Sequence, residues 1–208
     1  MTVAQPAMPG GQVEISQPIA EPLDLGDSPL DDALVAEARA DARAFAPLYE
    51  RHIDHVYRYL RARGASDDDA TELTALTFER ALRHIDRYRT GGSGFGPWLL
   101  RIARNAFIDA GRRQHNRFLN LDEVAGLAAP GTSLEDTAIA ADEQRQVLAL
   151  VARLPEVQRD ALALRFAGGL SSRQIAAVIG KSEAATKKLL TRSLATLKEA
   201  TRNDAGDD

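Results

Sequence analysis

Two stretches of this chain carry side chains suited to holding nucleic acid. In the first, Arg101, Arg104, Arg112 and Arg113 recur along one helical pattern, with Asn105 and Asp109 between them. Guanidinium groups a turn apart neutralise successive phosphates. A carboxamide both donates and accepts, which is what reading a base edge requires. In the second, Ser182, Lys187, Lys188, Thr191 and Arg192 make a short cationic, hydrogen-bonding surface near the C-terminus. Each set also has a plainer reading, a solvated basic face. Other chemistry finds no support. There is no Gly-rich phosphate loop, no nucleophile–base arrangement and no carboxylate pair on a plausible site, so no catalytic residue is expected and the chain reads as a non-enzyme. The absence of cysteine excludes disulfides and thiolate metal sites. His52, His55, His84 and His115 show no ligand spacing with carboxylates, and neither a metal nor a cofactor is expected.

The elements that must position the second set are legible. Ser171 or Ser172 caps a helix running through Ile175, Ala176 and Ile179. Gly180 supplies the left-handed residue that ends it. Ser182 then caps a second helix after a three-residue turn. Ile175, Ile179, Leu190 and Leu197 supply the contacts between the two, with Ala176 small at the crossing. Lys187, Lys188, Thr191 and Arg192 face outward, the layout of a recognition helix aimed at a major groove. Upstream, Leu154-Pro155 opens another helix, with Pro155 in its first turn, Ala161 and Leu164 on its inner face, and Gly168-Gly169 at its end.

The first set belongs to a helix from Pro97 to about Arg113, with Trp98, Leu99, Ile102, Ala106 and Ala110 at core spacing. Two helices precede it. One carries Phe45, Leu48, Tyr49, His52, Val56 and Leu60 on a single stripe. The other opens at Ser66-Asp67-Asp68-Asp69 and carries Ala70, Leu73, Thr77, Phe78, Ala81 and Ile85. Ser133-Leu134-Glu135-Asp136 fits a capping box for a further helix reaching Arg153. No strand pattern appears. The expected fold is all-α, with two small helical domains on a flexible linker and a helix-turn-helix in the C-terminal one.

The formal net charge of −4 opposes DNA binding until it is divided. Residues 1–38 hold seven acids and no Lys or Arg, leaving +3 for the rest. The prolines, the Gly10-Gly11 pair and the lack of periodicity predict disorder over residues 1 to about 30, with helical pattern from near Leu30, and the acidic stretch to residue 38 is taken as the tail. By proximity, such a tail masks the basic faces in the free protein; the plainer reading is a solubilising tail. The expected organisation is a tail over 1–38, a first domain over 39–114, a linker over 115–133, a second domain over 134–202 and a short tail over 203–208. No apolar run is long enough to span a bilayer and no signal peptide is present, so a cytoplasmic location without membrane insertion is expected.

Residues 154–200 resemble the promoter-binding C-terminal domain of bacterial sigma-70 family factors. The match lies in Leu154-Pro155, Arg159, Leu164, Gly169-Leu170-Ser171, Ile175-Ala176, Gly180, Ser182, Lys187 and Arg192. Trp98-Leu99, Arg101-Ile102-Ala103, Asn105, Asp109 and Arg112-Arg113 resemble the helix by which such factors hold the minus-ten element. Both halves, in this order, are similar to the short extracytoplasmic-function (ECF, group IV) sigma factors. The resemblance implies that core RNA polymerase and promoter DNA are partners, along with an anti-sigma factor. It implies a minus-ten set of Tyr88, Arg101, Arg104, Asn105, Asp109, Arg112 and Arg113, and capture of a flipped base. It implies a minus-thirty-five set of Ser182, Lys187, Lys188, Thr191 and Arg192. It implies a polymerase-binding set of Asp69, Glu72, Leu73, Leu76 and Arg80, and a linker threading near the polymerase active site. Tyr88 stacks on a base in this reading and is a core tyrosine in the plainer one. Ala75 and Leu76 stand where the family carries Gln and an acid. Two rival readings are a sigma-like decoy for an anti-sigma factor and an ordinary dimeric helix-turn-helix regulator.

Overall fold

The computed structural model describes residues 28–113 and 149–204. The expected linker and the capping box at Ser133 lie outside the described residues. Helix α1 spans Pro29–Ala40 and is followed by a 3-10 turn over Ala42–Phe45. Then come α2 (Ala46–Ala62), α3 (Asp67–Arg83), a 3-10 turn (Ile85–Arg87) and α4 (Phe95–Arg113). After the undescribed segment come α5 (Glu156–Phe166), α6 (Ser172–Ile179) and α7 (Glu183–Asp204). Among the described residues there is no strand, in accord with the all-α expectation.

The acidic segment is not disordered to residue 38. Pro29 stands in the first turn of α1, where its missing N–H costs little. Asp31 and Asp32 lie in the first turn and Arg39 in the last, complementing the helix dipole. The helix is then held by paired charge. Asp31, 2% exposed, accepts from Arg51 Nε and pairs with His52 Nε2, both at 2.9 Å. Asp32 accepts from the Tyr88 hydroxyl at 2.7 Å, and Arg39 donates to the Ile85 and Tyr88 carbonyls. Three of the seven acids, Asp31, Asp32 and Glu37, therefore belong to a folded helix. They are not available for a tail that masks distant basic faces.

Helices α2, α3 and α4 pack mutually around Phe45, Leu48, Val56, Leu60, Phe78, Phe95 and Leu99. Ser66 accepts from the Asp69 N–H and starts α3. The aromatic centre is edge-on: Phe45 meets Phe78 and Phe95 at centroid distances of 6.3 and 6.4 Å, and Tyr88 meets Phe95 and Trp98 at 5.6 Å each. Such pairs add about 0.5–1.5 kcal/mol beyond their burial. The C-terminal helices do not hang free. Helix α4 packs along α6, α2 touches α5, and one continuous cluster of buried apolar residues includes Leu99 and Leu100 together with Leu164, Leu170, Ile175 and Leu190.

On α2, His55 is held neutral by its surroundings. Burial, the Arg58 guanidinium and His52 push its pKa from 6.5 down to about 4, against a smaller opposing pull from Asp54. The unfolded chain thus takes up a proton near pH 6.5 that the folded chain accepts only near pH 4. Between these values the unfolded state binds more protons, so stability is full above pH 6.5 and falls as the pH drops towards 4, by up to ~3 kcal/mol. Urea midpoints measured from pH 7 to pH 4.5 are expected to fall for the wild type and to fall less steeply for His55→Gln.

Candidate nucleic-acid interface

Ser171 and Gln174 form a reciprocal capping box at the start of α6: the Gln174 N–H donates to Ser171 Oγ at 3.3 Å, and the Ser171 N–H donates to Gln174 Oε1 at 2.8 Å. Two orphan donors of the helix are thereby satisfied. Of the two serines considered from sequence, Ser171 is the cap. Gly180 ends α6 at φ +69°, in the left-handed region where a Cβ carries a steric cost. Ser182 Oγ accepts from the Ala185 N–H at 3.2 Å, which starts α7 at the expected turn. Thr186 is fully buried in place of an apolar residue, its hydroxyl donating to the Ser182 carbonyl at 3.0 Å. That internal bond removes most of the cost of burying a hydroxyl.

This construction leaves Ser182, Lys187, Lys188, Thr191 and Arg192 exposed on α7. Lys187 pairs with Glu183 at 2.6 Å one turn earlier, and the Lys187 hydrogen bond and charge hold the Glu183 carboxyl below its usual range. An exposed pair of this kind is readily exchanged for a phosphate. Thr191 donates to the Lys187 carbonyl at 3.0 Å and keeps its oxygen lone pairs outward. Leu189 is half-buried against the core, whereas Leu194 is 44% exposed.

Helix α4 splits the arginine ladder in two. Arg101, Asn105 and Arg112 are exposed and lie within about 40° of one another on a helical wheel, whereas Arg104 lies about 60° from Arg101. The side chain of Arg113 is outside the described residues. Asp109 pairs with Arg80 of α3 at 3.6 Å, tying two of the expected site residues to each other.

Arg104 turns towards the C-terminal helices and pairs with Asp160 of α5. Asp160 is 0% exposed. It also accepts from the Tyr59 hydroxyl at 2.7 Å and lies 3.3 Å from Arg63 Nε. Glu156 stands at the rim, 3.5 Å from Arg63 Nη2. The Arg63 guanidinium sits 4.9 Å over the Phe107 ring. Burial opposes the charge on Arg104, but the hydrogen bond and charge of Asp160 outweigh it and raise its pKa. Burial, and then the Asp160 charge, lift the Tyr59 hydroxyl well above its usual range, so it remains a donor. A carboxylate removed from water in this way is tolerated only because it is fully partnered; deleting one partner of such a pair costs about 3–5 kcal/mol.

Other expected residues are placed differently from the sequence reading. Tyr88 is 3% exposed, with its ring against Phe95 and Trp98 and its hydroxyl on Asp32. It is a core tyrosine and not a stacking platform, because α1 covers it. Leu73 is 5% exposed inside the helix bundle and cannot meet a partner directly. Asp69 accepts from the Ser66 hydroxyl at 2.7 Å and serves the α3 cap. Glu72 is exposed, and Leu76 and Arg80 are half-buried. Sequence reasoning missed Tyr59, Arg63 and Asp160. One signal was present: Asp160 falls on the inward stripe of α5 with Val157 and Leu164, an acid where an apolar residue belongs.

Two helical units, one ending in a helix-turn-helix and the other presenting an arginine-and-asparagine helix, define a two-part DNA-binding protein. Comparison with known proteins specifies the class. Residues 48–117 match sigma-70 region 2 and residues 144–197 match sigma-70 region 4. The chain is 37% identical over 174 residues to the ECF RNA polymerase sigma factor BldN of Streptomyces coelicolor, covering 83% of this chain and 66% of BldN. It is 33% identical over 177 residues to the ECF RNA polymerase sigma factor SigD of Mycobacterium tuberculosis, covering 81% of this chain and 82% of SigD. Its fold is similar to that of the sigma factor RpoE of Bartonella quintana, solved in complex with the anti-sigma factor NepR (TM-score 0.59, 20% identity, 76% of this chain and 96% of that chain). The chain belongs to the ECF sigma factors of the sigma-70 family, transcription initiation factors that direct RNA polymerase to promoters.

Proposed function

We propose that this protein delivers core RNA polymerase to its promoters through two separate DNA faces and melts the DNA with the first. The observation that supports this reading is the pair of exposed surfaces, Arg101–Asn105–Arg112 on α4 and Lys187–Lys188–Thr191–Arg192 on α7. Arg101 and Arg112 hold phosphates, and Asn105 reads the edge of a base taken out of the stack. Lys187 and Arg192 hold phosphates of the minus-thirty-five element, while Lys188 and Thr191 reach towards bases. The first domain comprises residues 29–114, α1 included, and the second runs over 134–202. Glu72, Leu76 and Arg80 on α3 form the polymerase face. The polymerase makes the phosphodiester bonds, so this chain acts without catalysis of its own, in the cytoplasm. No helix of the described residues is long and apolar enough to cross a membrane. An anti-sigma factor is the expected regulator, as the complex of the RpoE relative with NepR illustrates.

Run-off transcription with core polymerase on a promoter recovered from genomic DNA tests the reading; no transcript above core polymerase alone contradicts it. Arg101→Ala and Asn105→Ala are expected to reduce permanganate-reactive thymines more than closed-complex binding, and normal melting by both would remove the assignment of α4. Lys187→Ala with Arg192→Ala is expected to weaken promoter binding for all sequences alike and to lower the salt slope by about two units, roughly one per phosphate contact. Unchanged affinity and slope would leave that face as solvated surface.

A further inference from the structure

The site around Asp160 has the composition of an anion receptor. Three partners converge on one carboxylate from a different part of the chain: Tyr59 of α2, Arg63 just past the end of α2, and Arg104 of α4. The Arg63 side chain is only 2% exposed, and its Nε and Nη1 have no hydrogen-bond partner, although Nε lies 3.3 Å from Asp160 Oδ1. Asp160 thus leaves buried donor capacity unused. A phosphodiester likewise presents two anionic oxygens, set tetrahedrally and wider apart than those of a carboxylate with two ester oxygens beside them, and it too matches the planar fork of a guanidinium. The receptor also borders the proposed DNA path, since Arg104 stands one turn along α4 from Arg101, about 60° round the helix.

We propose that the Tyr59–Arg63–Arg104 pocket is a binding site for a backbone phosphate of DNA, and that Asp160 of α5 occupies it as an intramolecular stand-in. In the docked form the C-terminal helices cover the pocket and the Leu100 side of α4; the Leu100 side chain reaches to 3.0 Å from the position a Cβ on Gly168 would take. Docked Asp160 and a bound phosphate exclude one another. The chain therefore holds its own first DNA face partly closed until the C-terminal domain swings away, and DNA then takes the place of the carboxylate. This inference rests on the reading of α4 as a DNA-binding helix. Its test needs no polymerase, so its failure is distinct from a failure of promoter recognition or melting.

The experiment measures binding of the full chain to a labelled oligothymidylate across a salt series, with small-angle scattering of the same samples. Asp160→Asn is expected to expand the protein and to bind about tenfold tighter, the gain expected when an open form populated at about one tenth becomes dominant. Adding Arg63→Gln to that variant is expected to abolish the gain and lower the salt slope by about 0.7, one phosphate contact on a single strand. Glu156→Gln, which removes an equal charge from the exposed rim, is expected to give much less than the gain of Asp160→Asn. Saturating the wild type with the oligonucleotide is expected to expand it too, a readout independent of whether Asp160→Asn folds. Expansion of Asp160→Asn without tighter binding would overturn the phosphate site, as would a gain that survives Arg63→Gln or is matched by Glu156→Gln. A wild type that stays equally small when saturated with DNA would overturn the exclusion.

Discussion

Burying the Asp160 carboxylate constrains much of this molecule. Removing a carboxylate from water costs several kcal/mol, and that cost is offset only by charge and hydrogen bonds delivered in good geometry. Here the partners come from Tyr59 on α2, Arg63 at its C-terminal cap and Arg104 on α4. Helix α5 can bury its inner face against the first domain only where those three partners already stand together. The apolar contacts around Leu100, Leu164 and Ile175 are non-directional and fit several registers; the carboxylate fixes one.

A second buried carboxylate does the same work at the other end of the first domain. Asp31 meets Arg51 and His52 in the core and fastens α1 across Tyr88. In both places a short acid selects the register in which a helix packs. The consequences for function differ. Asp31 completes a domain and removes an aromatic from the surface. Asp160 joins two domains and divides the cations of α4 between an open face, Arg101 and Arg112, and a covered one, Arg104.

Most of the architecture was legible because it rests on local rules. The helix-turn-helix follows from Ser171, Gly180 and Ser182, whose capping and left-handed roles are set by residue type and spacing. The exposed sets on α4 and α7 follow from helical periodicity. What escaped depends on contacts distant in sequence. Helical pattern is visible from near Leu30, but acid content marks the stretch to residue 38 as tail; α1 folds into the domain because Asp31 finds partners about twenty residues away. The family resemblance alone offers Tyr88 as a base-stacking aromatic, beside its reading as a core tyrosine, and that same helix covers it. Arg104 had the spacing of a phosphate ligand, but its present partner lies fifty-six residues on, across the undescribed segment. Leu73 was assigned to a partner although its place on the inner stripe of α3 already made it core.

In the proposed reading, in which α4 and α7 both hold DNA, the docked domains must rearrange between the free protein and the initiating complex. The chain has no cysteine, so spin labels placed by Asp54→Cys on α2 and Glu199→Cys on α7, both exposed positions, report the separation of the domains without background. The decisive measurement is their distance distribution by pulsed electron resonance, in the free protein and after addition of core polymerase and promoter duplex. A single short distance that is replaced by a longer one, in a sample that also supports run-off transcription, is the predicted result. A distance unchanged in a transcribing sample would contradict the account, because the covered face of α4 would then play no part in holding DNA.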